Sequence, residues 1–178
     1  MKREKEEGMR NRTTKMRMIL IRSVVTLLFL GCVMYIWHNS MESAVVSSGR
    51  SGRITEVVNE ILQQSGIGMV TEHFIRKLAH FSEYGMEGVL TVGMFVVYCL
   101  KPTKRWKQIA MTGLLTAVVD ESIQFFSAGR SPEIGDVCID MAGFICGMLF
   151  MLAAYLLIGK AAWKTWFQNR NRKKSFVS

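Results

Sequence analysis

No CxxC pair, HExxH helix, P-loop, GxSxG turn or dinucleotide-binding glycine fingerprint occurs in these 178 residues. Their absence removes the chemistries that such motifs carry: thiol redox, zinc proteolysis, nucleotide hydrolysis on a phosphate cradle, serine esterolysis and Rossmann-type hydride transfer. The four cysteines, Cys32, Cys99, Cys138 and Cys146, lie within or at the edge of apolar blocks. They are expected to pack rather than to form disulfides or a metal centre. On these grounds no cofactor and no metal are expected. Nucleic-acid motifs are also missing, although the net charge is +9.

The position of the charge explains the excess. Eighteen of the 23 Lys and Arg fall in three places: the first 22 residues, the 101–107 connection, and the tail from Lys160, which has six cations and no acid. These places flank long apolar blocks on alternate sides. That is the positive-inside bias of a membrane protein and not a recognition face.

The spacing predicts an all-α, polytopic membrane bundle with four transmembrane helices and one short extracytoplasmic amphipathic helix. Residues 1–17 are polar without an apolar period and are expected to form an unstructured cytoplasmic tail. The first span covers 18–38, with Arg22 snorkelling at its inner end and Tyr35 and Trp37 at the outer interface. A cleaved signal peptide is the competing reading. At roughly 20 residues the block is long for a signal core of about 7–15, so an uncleaved anchor is favoured.

Residues 39–78 form the outer connection. Its Ser- and Gly-rich start, to about residue 52, reads as a flexible loop. Ile54, Val57, Val58, Ile61 and Leu62 then recur at helical spacing opposite Glu56, Asn59, Glu60, Gln63 and Gln64. They predict an amphipathic helix, stopped near Gly66, that lies on the outer surface or covers the bundle.

Residues 79–158 hold three further spans. The purely apolar stretches 89–100 and 109–119 are too short to cross alone, since a crossing takes roughly 20 residues. The second span must therefore begin near Ala79 or His80, and the third must run through Asp120, Glu121 and Gln124 to about Phe126. Turn chemistry follows at 127–133, and the last span runs from Asp136 to Ile158 through Asp140. Gly143 and Gly147 form a GxxxG pair suited to close helix packing. Residues 159–178 are expected to be a basic cytoplasmic tail that touches anionic lipid. Both termini are then cytoplasmic, in a multi-pass protein of the cell membrane.

Four alternating crossings bring Glu83, Glu87, Asp120, Glu121, Asp136 and Asp140 to one side at similar depth. Lys77, His80, Tyr84 and Glu87 share a helical stripe, and Arg76, His80, Glu83 and Glu87 an overlapping one. Asp120 with Gln124, and Asp136 with Asp140, are spaced i, i+4. An acid deep in a membrane helix costs roughly 2.5–3.5 kcal/mol on insertion scales. Six acids here face three cations, Arg76, Lys77 and Arg130. Some carboxyls are then protonated at neutral pH, or a cation binds.

Three uses of the cluster compete. It holds the bundle together, with Glu83 and Asp120 paired to Arg130 and Lys77 and with Glu87 and Asp136 at the wet interface. It binds a ligand. Or it catalyses, with His80 as acid or base oriented by Glu83, Asp120 or Asp136. Ser82, Ser122 and Ser131 are nearby hydroxyls outside any nucleophile motif.

These residues carry a family resemblance. Lys77-Leu78-Ala79-His80-Phe81-Ser82-Glu83-Tyr84 resembles the first signature of the VanZ-like membrane family. Asp120-Glu121-Ser122-Ile123-Gln124-Phe125-Phe126-Ser127-Ala128-Gly129-Arg130-Ser131 resembles the second, and Asp136 with Asp140, Gly143 and Gly147 the third. The similarity spans about residues 70–158. Ala128 stands where Pro is expected, which loosens the turn, and Asp140 stands where Asn is common, which adds a charge. The resemblance implies a polytopic bacterial membrane protein, and the family's namesake is associated with resistance to glycopeptides, notably teicoplanin. The expected partners are the bilayer and an envelope lipid, a lipid-linked sugar or a glycopeptide-related ligand. The leading expectation is a non-enzymatic protein. In it Lys77, Arg76 and Arg130 contact a phosphate or carboxylate, while Asp120, Glu121, Gln124, Asp136 and Asp140 position them or accept ligand hydroxyls. An enzyme acting on an envelope lipid and a structural subunit of a membrane complex are the alternatives.

Overall fold

The computed structural model describes residues 2–66 and 68–174. Among them there are five α-helices and one 3₁₀ turn, and no strand. In chain order these are α1 (Lys2–Met41), α2 (Ala44–Gln64), α3 (Glu72–Val97), the 3₁₀ turn (Pro102–Lys104), α4 (Trp106–Phe125) and α5 (Ile134–Lys174).

The all-α expectation holds. Of the four expected spans, two are long and apolar enough to cross a membrane: Met16–Met41 within α1 and Ile134–Gly159 within α5. Both are mostly exposed, unlike the central helix of a soluble domain. Helix α4, with 20 residues, is ~30 Å long at 1.5 Å per residue, and α3 is longer. Their length suffices, but their charged residues keep them short of the same apolar standard.

Three segments differ from expectation. Residues 2–17, read from composition as unstructured, continue α1 without a break. They are rich in Lys, Glu, Arg and Met, which propagate a helix readily once the apolar part has nucleated it. The basic tail likewise extends α5 to Lys174, and residues 175–178 lie outside the described residues. The Ser- and Gly-rich stretch is helical from Ala44. Ser43 caps it, accepting a bond from the Val46 amide at 3.4 Å. Inside the helix the Ser51 and Thr55 hydroxyls donate to the carbonyls of Ser47 and Ser51 at 3.0 and 2.8 Å, so they do not compete with the backbone ladder.

Helix α2 is pinned at both ends. The Ala44 amide donates to the Ala128 carbonyl at 3.0 Å. At the far end Asn59 clamps Val70, donating to its carbonyl at 3.0 Å and accepting from its amide at 2.8 Å. Ser51 is buried against the bundle, whereas Val45, Val46, Ile54, Val57 and Ile61 stay exposed.

Helices α1 and α3 run antiparallel. Arg22 donates from Nε to the Val97 carbonyl at 2.9 Å, satisfying the end of α3, and stacks over Tyr98. At the opposite end of the pair, Asn39 donates to Glu83 at 3.0 Å. The core comprises Ile36, Tyr84, Val92, Ile109, Ala117, Phe144 and Met148.

Helices α3 and α5 meet backbone to backbone. A methyl group added at Gly143 would overlap the Phe81 carbonyl, one at Gly147 the Gly85 carbonyl, and one at Gly88 the Phe144 carbonyl. The GxxxG pair on α5 therefore works with Gly85 and Gly88 on α3. The expected close packing is found, with both partners supplying glycine.

Candidate functional site: a polar pocket at one end of the bundle

The C-terminal end of α1, the first half of α3, the last turns of α4 and the first turns of α5 converge. On α3 the expected stripe is present. Arg76, Lys77 and His80 line a cavity of about 210 Å³, together with Gln124, Arg130, Asp136 and Asp140. Tyr84 and Glu87, further along the stripe, are fully buried beneath it.

The pairings differ from those expected for a purely structural network. Lys77 pairs with Asp136 at 3.3 Å, not with Glu83 or Asp120. Arg130 donates to the Asn39 carbonyl at 3.2 Å and has no ion pair with a carboxylate among the described residues. Glu83 accepts from Asn39, and Asp120 accepts from Gln124 at 3.2 Å. Glu87 is not at a wet interface, since neither it nor Asp140 has measurable exposure. The physical reason is the helix period: successive turns of α3 carry Glu83 toward α1 and His80 toward α5.

His80 faces Asp140, with Nδ1 and Oδ1 3.5 Å apart, inside ion-pair reach but outside hydrogen-bond geometry. This placement follows from the glycine contact. Phe81 follows His80 and touches Gly143, which lies one turn after Asp140.

Glu121 turns away from the pocket. It accepts a bond from the Glu133 amide and lines a separate, largely apolar cleft with Val118, Ser122, Phe125, Phe126, Pro132 and Val137. Adjacent residues on a helix point ~100° apart, so Asp120 and Glu121 cannot serve one site equally.

The connection from α4 to α5 closes despite Ala128. The Arg130 amide donates to the Ser127 carbonyl at 3.2 Å, and Gly129 takes φ 75°, which glycine adopts without strain. Ser127 also donates to the Ser40 carbonyl at 2.7 Å, locking the turn to the end of α1. The turn sets Arg130 near Arg76. Burial first, and then the Arg76 charge, hold the Arg130 guanidinium below its ordinary pKa. Two mutually repelling guanidiniums at one cavity are relieved by an anion between them.

Asn39, Ser40 and His73 were not anticipated as site residues. Asn39 joins Glu83, Arg50 and, through its carbonyl, Arg130. Ser40 is fully buried beside the turn, and His73 lines the cavity one turn before Lys77. Asn39 and Ser40 follow an apolar block and so read as the start of a loop. Their place at the C-terminal end of α1, beside the acidic motifs, is the available signal.

Fold and site together define an all-α bundle whose exposed apolar helices enclose a charged pocket at one end. The chain belongs to the VanZ/LLP1 family, whose model matches residues 24–158. The match reaches back through α1 beyond the three motifs, in keeping with the part that Asn39 and Ser40 play. Comparison with curated proteins and with solved structures found no match.

Proposed function

We propose that the protein crosses the cell membrane four times, with both termini cytoplasmic, and binds an anionic, hydroxyl-bearing head group in an outward-facing pocket. The observation that carries this reading is the convergence of Arg76, Lys77 and Arg130 on one cavity beside Gln124, Asp136 and Asp140. Basic groups recognise phosphate or carboxylate, and the acids and amide accept hydroxyl protons. Size narrows the class further. Sites for drug-sized molecules enclose roughly 300–1,000 Å³. A cavity of about 210 Å³ suits a phosphate or a single sugar on a lipid, not an entire glycopeptide antibiotic. An effect on teicoplanin susceptibility, which the family's namesake suggests, would then run through an envelope lipid and not through capture of the drug.

The four-span reading rests on α3 and α4 having sufficient length and on the position of the basic segments, two of them in the first half of α1 and the last turns of α5. Glu87 on α3 and Asp120 on α4 are buried within the bundle, which reduces their cost in lipid.

Mass spectrometry of co-purified lipid tests the binding. Wild-type protein should retain an anionic lipid that Arg130→Gln, equally well folded, loses. Equal lipid content in the two proteins rejects the pocket. One observation favours a second reading, in which the same lipid is a substrate: His80 lines the cavity and lies 3.5 Å from Asp140, as an acid–base group and its orienting carboxylate would. Turnover of the bound lipid that His80→Gln abolishes, with binding retained, would establish it.

A further inference from the structure

We propose that His80, Asp120 and Asp140 form a binding site for a divalent first-row metal ion of the zinc or manganese class, at the floor of the pocket. The three residues come from α3, α4 and α5, and one donor atom of each lies within 4.8 Å of the others. Metal–ligand bonds of ~2.0–2.2 Å place neighbouring donors roughly 3–3.5 Å apart. His80 and Asp140 already stand at 3.5 Å. The Asp120 oxygen lies within 4.8 Å of both, so binding of an ion would require it to close in.

The cluster is more than a group of acids. Asp120 and Asp140 are fully buried. Among the described residues, Oδ1 and Oδ2 of Asp140, Oδ1 of Asp120 and Nδ1 of His80 have no hydrogen-bond partner. Buried polar atoms are nearly always satisfied, and buried charges nearly always paired. The neighbouring cations are committed elsewhere, Lys77 to Asp136 and Arg130 to the Asn39 carbonyl. A doubly charged cation would match two carboxylates and a neutral imidazole without residual charge, and would take up an orphaned donor of each residue.

The donor set selects the metal. One imidazole nitrogen and carboxylate oxygens, with no thiolate, suit zinc, manganese or ferrous iron and disfavour soft ions. Calcium and magnesium prefer an all-oxygen shell. Because His80 and Asp140 also line the cavity, the remaining coordination positions face it and are open to water or a ligand oxygen. The site does not depend on which anion the pocket takes.

The test uses full-length protein in detergent, stripped with a chelator and then titrated with Mn²⁺ or Zn²⁺ alone. We expect one equivalent of either ion per chain, and electron spin echo spectra of the Mn²⁺ form showing coupling to one imidazole nitrogen. His80→Gln should remove that coupling, and Asp140→Asn should weaken binding by at least the roughly 10–100-fold that loss of an outer-shell partner alone costs. The double variant His38→Gln/His73→Gln leaves His80 as the sole histidine and should keep the signal, which decides the assignment even where His80→Gln does not fold. Absence of stoichiometric binding to the wild type, or persistence of the nitrogen coupling in folded His80→Gln, overturns the proposal.

Discussion

Gly143 sits directly against the carbonyl of Phe81, with no room between them for a methyl group. That contact sets the distance between His80 and Asp140, since each lies within one turn of it. Gly143→Leu should force α3 and α5 apart. Overpacking of this kind costs about 1–3 kcal/mol where side chains can yield, and more where the obstacle is backbone. A thermal midpoint equal to the wild type, measured in the same detergent, would show that the helices are not in backbone contact.

Asn39→Ala should weaken the bundle at the C-terminal end of α1. It removes the bonds to Glu83 and Arg50 and leaves a partly buried carboxylate without its donor. Such losses cost about 1–3 kcal/mol. Asn39→Asp should be no better, because it sets a second carboxylate against Glu83. Denaturation midpoints of the two variants check this, and an unchanged midpoint for Asn39→Ala would count against the contact.

Lys77→Gln separates binding from stability. The Lys77–Asp136 pair is about a third exposed on each side, so its loss should cost less than about 1 kcal/mol. Retention of anionic lipid should fall substantially. A large loss of stability with lipid retained would mean that the pair serves the fold.

Topology has its own readout. A reporter fused after Ser178 should be active only in the cytoplasm, and one inserted at Ser131 only outside. The opposite result at either position breaks the alternation of spans.

Much of this architecture could be read from residue order, and the parts that could not share a cause. The stripe Lys77, His80, Tyr84 on α3 was legible because a single helix period relates its members. The same period placed Asp120 with Gln124 on α4. Glu121 shares the depth of the pocket acids but not their angle around α4, so depth alone does not assign it to the pocket. The helix at 44–53 was missed because its serines are poor helix formers alone, and its first turn depends on the Ser43 cap and on the distant Ala128 carbonyl. The trio of His80, Asp120 and Asp140 leaves no mark as a motif, since its members are 40 and 20 residues apart and meet only through packing.

The glycine seam also bears on motion. Where two helices touch through carbonyls and Cα atoms, no side chain can change rotamer to let one slide along the other. Helices α3 and α5 are thus coupled as one rod over the length of the contact. The turn at 126–133 is tied in as well, by Ser127 to the Ser40 carbonyl and by the Ala44 amide to the Ala128 carbonyl. A head group entering the pocket would therefore meet a wall, bearing His80 and Asp140, that stays fixed.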